Sequence, residues 1–527
     1  MPARAIMVLG TGSHVGKSLL TAALCRIFAQ HGVRVAPFKS QNMSLNSAAT
    51  PEGHEIGRAQ ALQAEAAGIP PSVHMNPILI KPSGDMTSQV IVHGRIWGQL
   101  SAADYHLRRV EELLPIVRQS YQLLASTYDL ILLEGAGSPA EINLKQHDIV
   151  NMRMDDMADA SCLLIGDIDR GGVFASLLGT IELLDPHERD RICGFAINKF
   201  RGDLNLLTPG LRMMEQRIAK PCTGVVPHFP NLTLDEEDSL GLPDIATSPW
   251  TAVQSPNRPL RIAVIALPSL SNFTDFDSLR SEVFIDLRLV RTPQALAHAD
   301  ILILPGSKQT AADLAWLRDQ QLDLAILDHA QASLIVGICG GMQMLGHTIA
   351  DPERIESTGT VQGLALLPLH TVMQPAKTTQ LATGKLATTT LFGSPCLGMT
   401  VSGYEIHIGK TDYLPGAQVF ADLTSESDGC VDPSTRIFGT YLHGLFDDDS
   451  FRHLFLNHAR LFHGLAPATA LSSYKLQREQ ALDAFAAHVE AALDMTAIFS
   501  WAGLTYQKKT EASRPASPQS FIEESPE

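Results

Sequence analysis

Ala5-Ile6-Met7-Val8-Leu9, continued by Gly10-Thr11-Gly12-Ser13-His14-Val15-Gly16-Lys17-Ser18, decides the fold of the first part of this 527-residue chain. A short apolar run of strand length enters a glycine-rich turn and leaves it as the amphipathic stretch Lys17–Gln30. That is the strand–loop–helix order of a phosphate-binding loop. Its first glycine stands one residue further out than in G-x-x-x-x-G-K-[ST], and the physical logic survives the extra residue. Backbone N–H groups and the helix N-terminus face phosphate oxygens, Lys17 neutralises the β and γ oxygens, and the Ser18 hydroxyl can ligate Mg2+. Gly10, Thr11, Gly12, Gly16, Lys17 and Ser18 are the expected ATP-binding residues. The plainer alternative is a glycine-rich turn with no ligand.

Outward from this loop, apolar strand-length runs recur at 33–38, 130–133, 162–165 and 192–197, with helix-like segments at 102–125 and 174–184. Continuous apolar strands separated by helices predict a parallel sheet covered on both faces, with ligands at the carboxyl ends of its strands. Glu134 closes one such run, in Leu-Ile-Leu-Leu-Glu-Gly-Ala-Gly, and is the expected second Mg2+ contact; a solvated strand-end acid is the alternative. Asn198, after another run, could read an adenine edge.

From about 231 to 259 the alternation stops. An acidic run at 235–238 and prolines at 243, 249, 256 and 259 read as a linker. A second α/β series follows at 261–267, 284–290, 300–304 and 334–338, then a strand- and turn-rich region to about 446. Two closing helices are expected at 450–462 and 473–494. The expected division is therefore 1–235, a linker 236–259, 260–465, a helical segment 466–502 and a disordered tail 503–527.

Gly337-Ile338-Cys339-Gly340-Gly341 lies between an apolar strand and a helix-like segment. It is the cysteine form of the nucleophile elbow, a turn that only small neighbours tolerate and that lifts a thiol above the sheet. The helix behind it favours the reactive thiolate. Gly306, in Pro305-Gly306-Ser307-Lys308, and Gly340 are the expected oxyanion donors. His443, in Gly-Thr-Tyr-Leu-His-Gly-Leu-Phe, follows a strand-like run and is the best base among 19 histidines, a choice that leans on the resemblance given below. A buried structural cysteine is the alternative for Cys339, and fits the other six cysteines better.

The net charge of −16 argues against an electrostatic nucleic-acid binder. It is uneven: residues 1–230 carry 21 Lys and Arg against 22 Asp and Glu, and the remainder 19 against 34. The near-neutral part holds Lys17, Lys39, Arg58, Lys81, Lys145, Arg170, Lys199 and Arg201 in or beside the ligand motifs, which suits anionic ligands. Seven cysteines without a C-x-x-C pair indicate a reducing compartment. No run approaches the ~20 apolar residues of a membrane span. The expectation is a cytoplasmic protein with no membrane insertion and no redox cofactor.

The first module resembles the deviant phosphate-loop ATPases typified by dethiobiotin synthetase, and the second resembles a class I glutamine amidotransferase domain. Their fusion in this order is similar to the cobyrinic and cobyric acid synthases of cobalamin biosynthesis. Four strings resemble the cobyric-acid type closely: Pro37-Phe38-Lys39-Ser40-Gln41-Asn42-Met43-Ser44-Leu45-Asn46-Ser47, Glu134-Gly135-Ala136-Gly137-Ser138-Pro139-Ala140-Glu141-Ile142-Asn143-Leu144, and those at 55–61 and 167–176. The resemblance runs from about residue 4 to 490. It implies two α/β domains that amidate the b, d, e and g carboxylates of adenosylcobyrinic acid a,c-diamide, using ATP, Mg2+ and L-glutamine through acyl phosphates. It also implies that Gln343 holds glutamine and that Asn198 reads adenine. Within it, Glu55 is a candidate further metal contact, and Lys81 and Arg170 are candidate substrate contacts, with solvated basic residues as the alternative.

Two departures stand out. Ordinary class I glutaminases place a glutamate two residues after the catalytic histidine, where this chain has Leu445. Glu405 is a candidate substitute, with a structural role as the alternative. His14 stands where a smaller or acidic residue is common. The rival readings are a cobyrinic acid a,c-diamide synthase and a partition-type regulatory ATPase with an inert glutaminase module. The oligomeric state is not readable from these residues.

Overall fold

Successive residues of the strand Arg4–Gly10 go to opposite faces of a sheet: Ala5, Met7 and Leu9 join one buried cluster, Ile6 and Val8 another. An unbroken apolar run is what a strand covered on both sides requires. The computed structural model describes residues 3–508 apart from 84–86, 102, 106–108, 231–233, 235–244, 252–254 and 357–358. Arg4–Gly10 pairs in parallel with Leu130–Glu134 and with Ser161–Asp167. Across the sheet the order is Cys222–Pro227, Ile192–Phe200, Ser161–Asp167, Arg4–Gly10, Leu130–Glu134 and Val35–Phe38. Gly10, Glu134 and Asp167 therefore end at the same edge, where a parallel sheet holds ligands.

The first helix is Lys17–Gln30, as expected, and Val173–Leu183 is within a residue of expectation. Of the helix expected over 102–125, residues 103–105 are helical, a π-helical turn follows at Arg109–Leu113, and Leu114–Thr127 is α-helical with Pro115 in its first turn. Proline has no N–H to give and suits a helix start. Residues 102 and 106–108 lie outside the described residues. A separate four-stranded sheet, Gln41–Met43, Ile78–Ser83, Thr87–Val92 and Arg95–Ser101, was not legible from periodicity.

The second domain is built on the parallel strands Ile285–Val290, Leu260–Ile265, Ile301–Leu304, Leu334–Ile338 and Ile437–Thr440. The same sheet continues antiparallel through Ser427–Val431 and Gln418–Leu423 to the long strand Leu369–Leu386, which pairs with Thr400–Tyr413. Part of the expected linker belongs to this sheet. Ala246 bridges to Val290, and the buried Trp250 donates its indole N–H to Asp286 at 2.8 Å. The acidic run 235–238 lies outside the described residues.

The segment 466–502 returns to the first domain. Helices Tyr474–Ala492 and Met495–Trp501 put Leu482, Phe485, Val489 and Phe499 into the cluster that contains Ile6 and Phe28. Phe28 stacks on Phe499 at 4.4 Å, and Arg26 pairs with Glu479 and Asp483 at 2.6 and 2.8 Å. Packed chain extends past 502, since Tyr506 lies against Phe499 and His31. The rest of the expected tail, 509–527, lies outside the described residues. Among the described residues no helix is long and apolar enough to cross a membrane.

Candidate functional site

The loop after Arg4–Gly10 turns into the first helix at Gly16, whose φ of +97° is in the left-handed region. A Cβ there would stand 2.2 Å from Asn198 Nδ2, so glycine is required on both counts. Asn198 donates Nδ2 to the Val15 carbonyl at 2.9 Å, clamping the loop from behind. An amide nitrogen carries two N–H groups, and this bond engages one of them. Lys199 supports the loop as well, donating to the His14 carbonyl at 2.7 Å. Lys17 Nζ lies over the loop, donating to the Gly12 and Gly137 carbonyls at 2.8 and 3.0 Å. The Thr11 N–H, expected to face phosphate, is taken by the Ile165 carbonyl at 2.9 Å because the chain still follows its neighbouring strand there.

Ser18 and Glu134 come together as expected: Ser18 Oγ donates to Glu134 Oε1 at 2.7 Å. Lys39 Nζ reaches the same oxygen at 2.9 Å, and Gln63 Nε2 reaches Oε2 at 2.6 Å. A hydroxyl and a buried carboxylate side by side at a phosphate loop form an oxygen-donor set that fits Mg2+. Lys39 and Gln63 were missed as site residues, although Lys39 lies in a quoted string; the sequence offers no sign that they converge on Glu134.

Glu55 belongs to a different cluster. It is fully buried between Lys81, 2.5 Å away, and Lys377 of the second domain, and it accepts from Ser47 Oγ at 2.7 Å. Burial opposes its charge, but the two ammonium groups outweigh burial and hold the carboxyl well below the usual range. Two lysines on one carboxylate leave little for a metal, so Glu55 reads here as an interdomain ion-pair residue. Lys81, proposed for substrate, is bound into the same cluster. Burial lowers Lys377 to about 8 despite Glu55. Arg170 is exposed, in the loop after Ser161–Asp167.

Other cations near the ligand motifs are also matched. Lys145 pairs with Asp185 and Glu188, Lys199 with Asp167, and Arg201 with Asp169. These cations of the nearly neutral first domain thus have carboxylate partners close by.

In the second domain, Cys339 stands between Leu334–Ile338 and the short helix Gly340–Leu345 with φ +50° and ψ −107°. A non-glycine residue in that conformation is strained by about 1–3 kcal/mol, as a nucleophile elbow is. Gly341 permits it: a Cβ there would lie 1.9 Å from the Leu304 carbonyl oxygen. Gly306, in the turn after Ile301–Leu304, lies beside the imidazole, and a methyl group on it would stand 3.1 Å from His443 Cε1. Gln343 is buried, its Oε1 accepting from Thr310 and its Nε2 donating to Tyr441 OH at 3.2 and 3.1 Å.

His443 is held by a residue that sequence reasoning missed. Its Nδ1 lies 2.7 Å from Asp275 Oδ2, and the Gly444 N–H donates to Asp275 Oδ1 at 2.9 Å. Burial alone lowers the imidazole, but Asp275 and the adjacent Cys339 outweigh it and push His443 up to about 10. Glu405 is not the substitute for the absent glutamate: its carboxylate accepts from Gln380 Nε2 at 2.5 Å. Asp275 is 168 residues upstream of His443, beyond any local spacing rule. The available signal was an acid in the loop after the first strand of the second α/β series, at the carboxyl edge that the elbow also occupies.

Residues 6–240 match the CobQ/CobB/MinD/ParA nucleotide binding domain, and residues 261–451 the CobB/CobQ-like glutamine amidotransferase domain. A cobyric acid synthase of Moorella thermoacetica is 47 % identical over 510 residues, covering 95 % of this chain and 98 % of its own. Those of a Thermoanaerobacter species and a Nostoc species are each 46 % identical, covering 94 % of this chain and 98 and 99 % of theirs. Neither the a,c-diamide synthase nor the partition-type ATPase is favoured by these matches. With the phosphate loop and the Cys339–His443 pair in one chain, and nearly half of all residues shared across both modules, this chain belongs to the cobyric acid synthase family of glutamine-hydrolysing amidoligases.

Proposed function

We propose that this enzyme converts the b, d, e and g carboxylates of adenosylcobyrinic acid a,c-diamide into carboxamides, one ATP and one glutamine for each. The observation that carries the reading is the pairing, in one chain, of a thiol–imidazole–carboxylate array at Cys339 with a Ser18–Glu134 pair at a phosphate loop.

A carboxylate is a poor acyl donor because its leaving group would be oxide. Its oxygen attacks the γ-phosphorus of ATP, ADP leaves, and the acyl phosphate formed is open to ammonia, which displaces phosphate. Lys17 and Lys39 bring positive charge to the transferring phosphoryl group. Ser18 and Glu134 would hold Mg2+, which would supply charge neutralisation at the transferring phosphate. A cavity of about 270 Å3 beside Gly137, lined by Gln41, Met43, Tyr105, Ser138, Lys145 and Asn151, supports this side as the acceptor site. That volume is small for a whole corrin, which favours a ring lying across the mouth and presenting one acidic arm at a time.

On the other side, Cys339 attacks the side-chain carboxamide of glutamine. N–H groups at Gly340 and in the Gly306 turn receive the oxyanion, and His443 gives its proton to the departing ammonia. Water, deprotonated by His443, then cleaves the glutamyl thioester to glutamate. Gln343 braces the pocket that receives glutamine.

Mass spectrometry of adenosylcobyrinic acid a,c-diamide after incubation with ATP, Mg2+ and glutamine tests the reading. Four successive carboxylate-to-carboxamide conversions are expected. An unaltered a,c-diamide, with amidation only of unmodified cobyrinic acid, would overturn it.

A further inference from the structure

The turn that carries Asp275 is held by the other domain. Asn272, in the left-handed region at φ +52°, immediately precedes the single 3-10 turn Phe273–Phe276. The Phe273 N–H donates to Asn46 Oδ1 at 3.2 Å, and the Ser47 N–H donates to Asn272 Oδ1 at 3.1 Å. This reciprocal pair crosses between the nucleotide module and the glutaminase module, and Asn46, Ser47 and Asn272 are all buried. Buried amides so matched fix a backbone position more sharply than apolar packing does, because any slip leaves a donor unsatisfied.

Two further contacts lead to the same centre. Ala49 of the nucleotide module packs with Tyr404 and Ile406. Tyr404 stacks on the His443 ring at 5.4 Å, and the Ile406 carbonyl faces Cys339 Sγ at 3.8 Å. The segment that makes these contacts begins at Lys39, whose ammonium group is on Glu134. One stretch of backbone therefore spans both reaction centres.

We propose that Asn46 is a positioning residue of the glutaminase centre, supplied by the nucleotide module and acting through the Asn272–Asp275 turn on His443. The inference rests on the reading of Cys339 and His443 given above. Ammonia release is thereby tied to a docked nucleotide module, since a loosened Asp275 turn leaves His443 without its orienting partner. The groups facing the His443 ring are Asp275, Cys339 and Tyr404, with Glu405 and His407 on the adjoining strand.

The test uses the full chain carrying Asn46→Ala, with Asn272→Gly as the second variant, because glycine keeps the left-handed backbone while removing the acceptor. Each should lower glutamine-dependent kcat about tenfold to hundredfold. The KM for glutamine and ammonium-dependent amidation should stay within about twofold, and the alkaline limb of the glutaminase pH profile should move to lower pH. An unchanged kcat and pH profile in both variants, or a parallel loss of ammonium-dependent turnover, would overturn the inference. Cys339→Ala serves as control: if it kept glutamine-dependent amidation, the underlying reading would fail, whereas its loss beside unaltered Asn46→Ala and Asn272→Gly refutes only the role of Asn46.

Discussion

Asp275 Oδ2 lies 2.7 Å from His443 Nδ1, and its other oxygen accepts the Gly444 N–H at 2.9 Å. One carboxylate thus sets both the tautomer and the tilt of the imidazole, the task performed elsewhere by a glutamate two residues beyond the histidine. Here the orienting acid comes from the 3-10 turn Phe273–Phe276, which follows the strand Leu260–Ile265.

Asp275→Asn should lower glutamine-dependent turnover by on the order of 10^3–10^4, by analogy with the orienting acid of serine triads, while ammonium-dependent amidation persists. Asp275 and Cys339 raise His443 to about 10, so removing Asp275 lets burial pull it down. The imidazolium is then lost at lower pH, and the alkaline limb of kcat/KM should shift downward. The raised value also has a stability consequence. It contributes fully below the unfolded histidine value near ~6.5 and is lost as pH rises through about 10. Asp275→Asn should flatten that part of the stability profile, as thermal unfolding at several pH values would reveal.

Cys339→Ala should abolish glutamine-dependent amidation and leave the ammonium-dependent reaction near wild type. Side-by-side assays with the two nitrogen sources provide the check, and loss of both activities would contradict the two-centre account.

Lys17→Ala should depress amidation by about 100-fold or more with either nitrogen source, since in the proposed mechanism the charge it removes would face the transferring phosphoryl group in both cases. Survival of the ammonium-dependent rate would place acyl-phosphate formation elsewhere.

Glu55→Gln removes the anion shared by Lys81 and Lys377 across the domain boundary. Stranding two buried ammonium groups should cost about 3–5 kcal/mol, seen as a lower unfolding midpoint. The concentration of Mg2+ giving half-maximal ammonium-dependent activity should not move; a large increase would restore Glu55 as a metal contact. Because Glu55 is depressed in the folded chain, its contribution is full above the ordinary carboxylate value near ~4.3 and fades below it. The variant should therefore lose less stability on acidification than the parent.

Gly341→Ala would drive a methyl group to 1.9 Å from the Leu304 carbonyl oxygen. Strand and helix must part, a strain at or beyond the upper end of the ~1–3 kcal/mol of ordinary overpacking. Glutaminase activity should disappear with a drop in unfolding temperature.

Local chemistry is legible along the chain itself. Gly16, Lys17 and Ser18 announce a phosphate loop because strand, glycine turn and helix are contiguous, and Cys339 announces an elbow for the same reason. The strand runs around them are apolar throughout because both sheet faces are covered, so the two α/β layers could be read from periodicity. Asp275, Lys39, Gln63 and Lys377 lie far in sequence from the groups they serve, and no spacing rule links them. Glu55 shows the difference most plainly: as a lone acid in a motif it reads as a metal contact, and only folding reveals the two lysines that claim it. The helix Tyr474–Ala492 is equally ambiguous until Arg26, Glu65 and Phe28 offer it a surface on the first domain. A residue's type and near neighbours are encoded along the chain, whereas its partner across a domain boundary depends on how two finished surfaces meet.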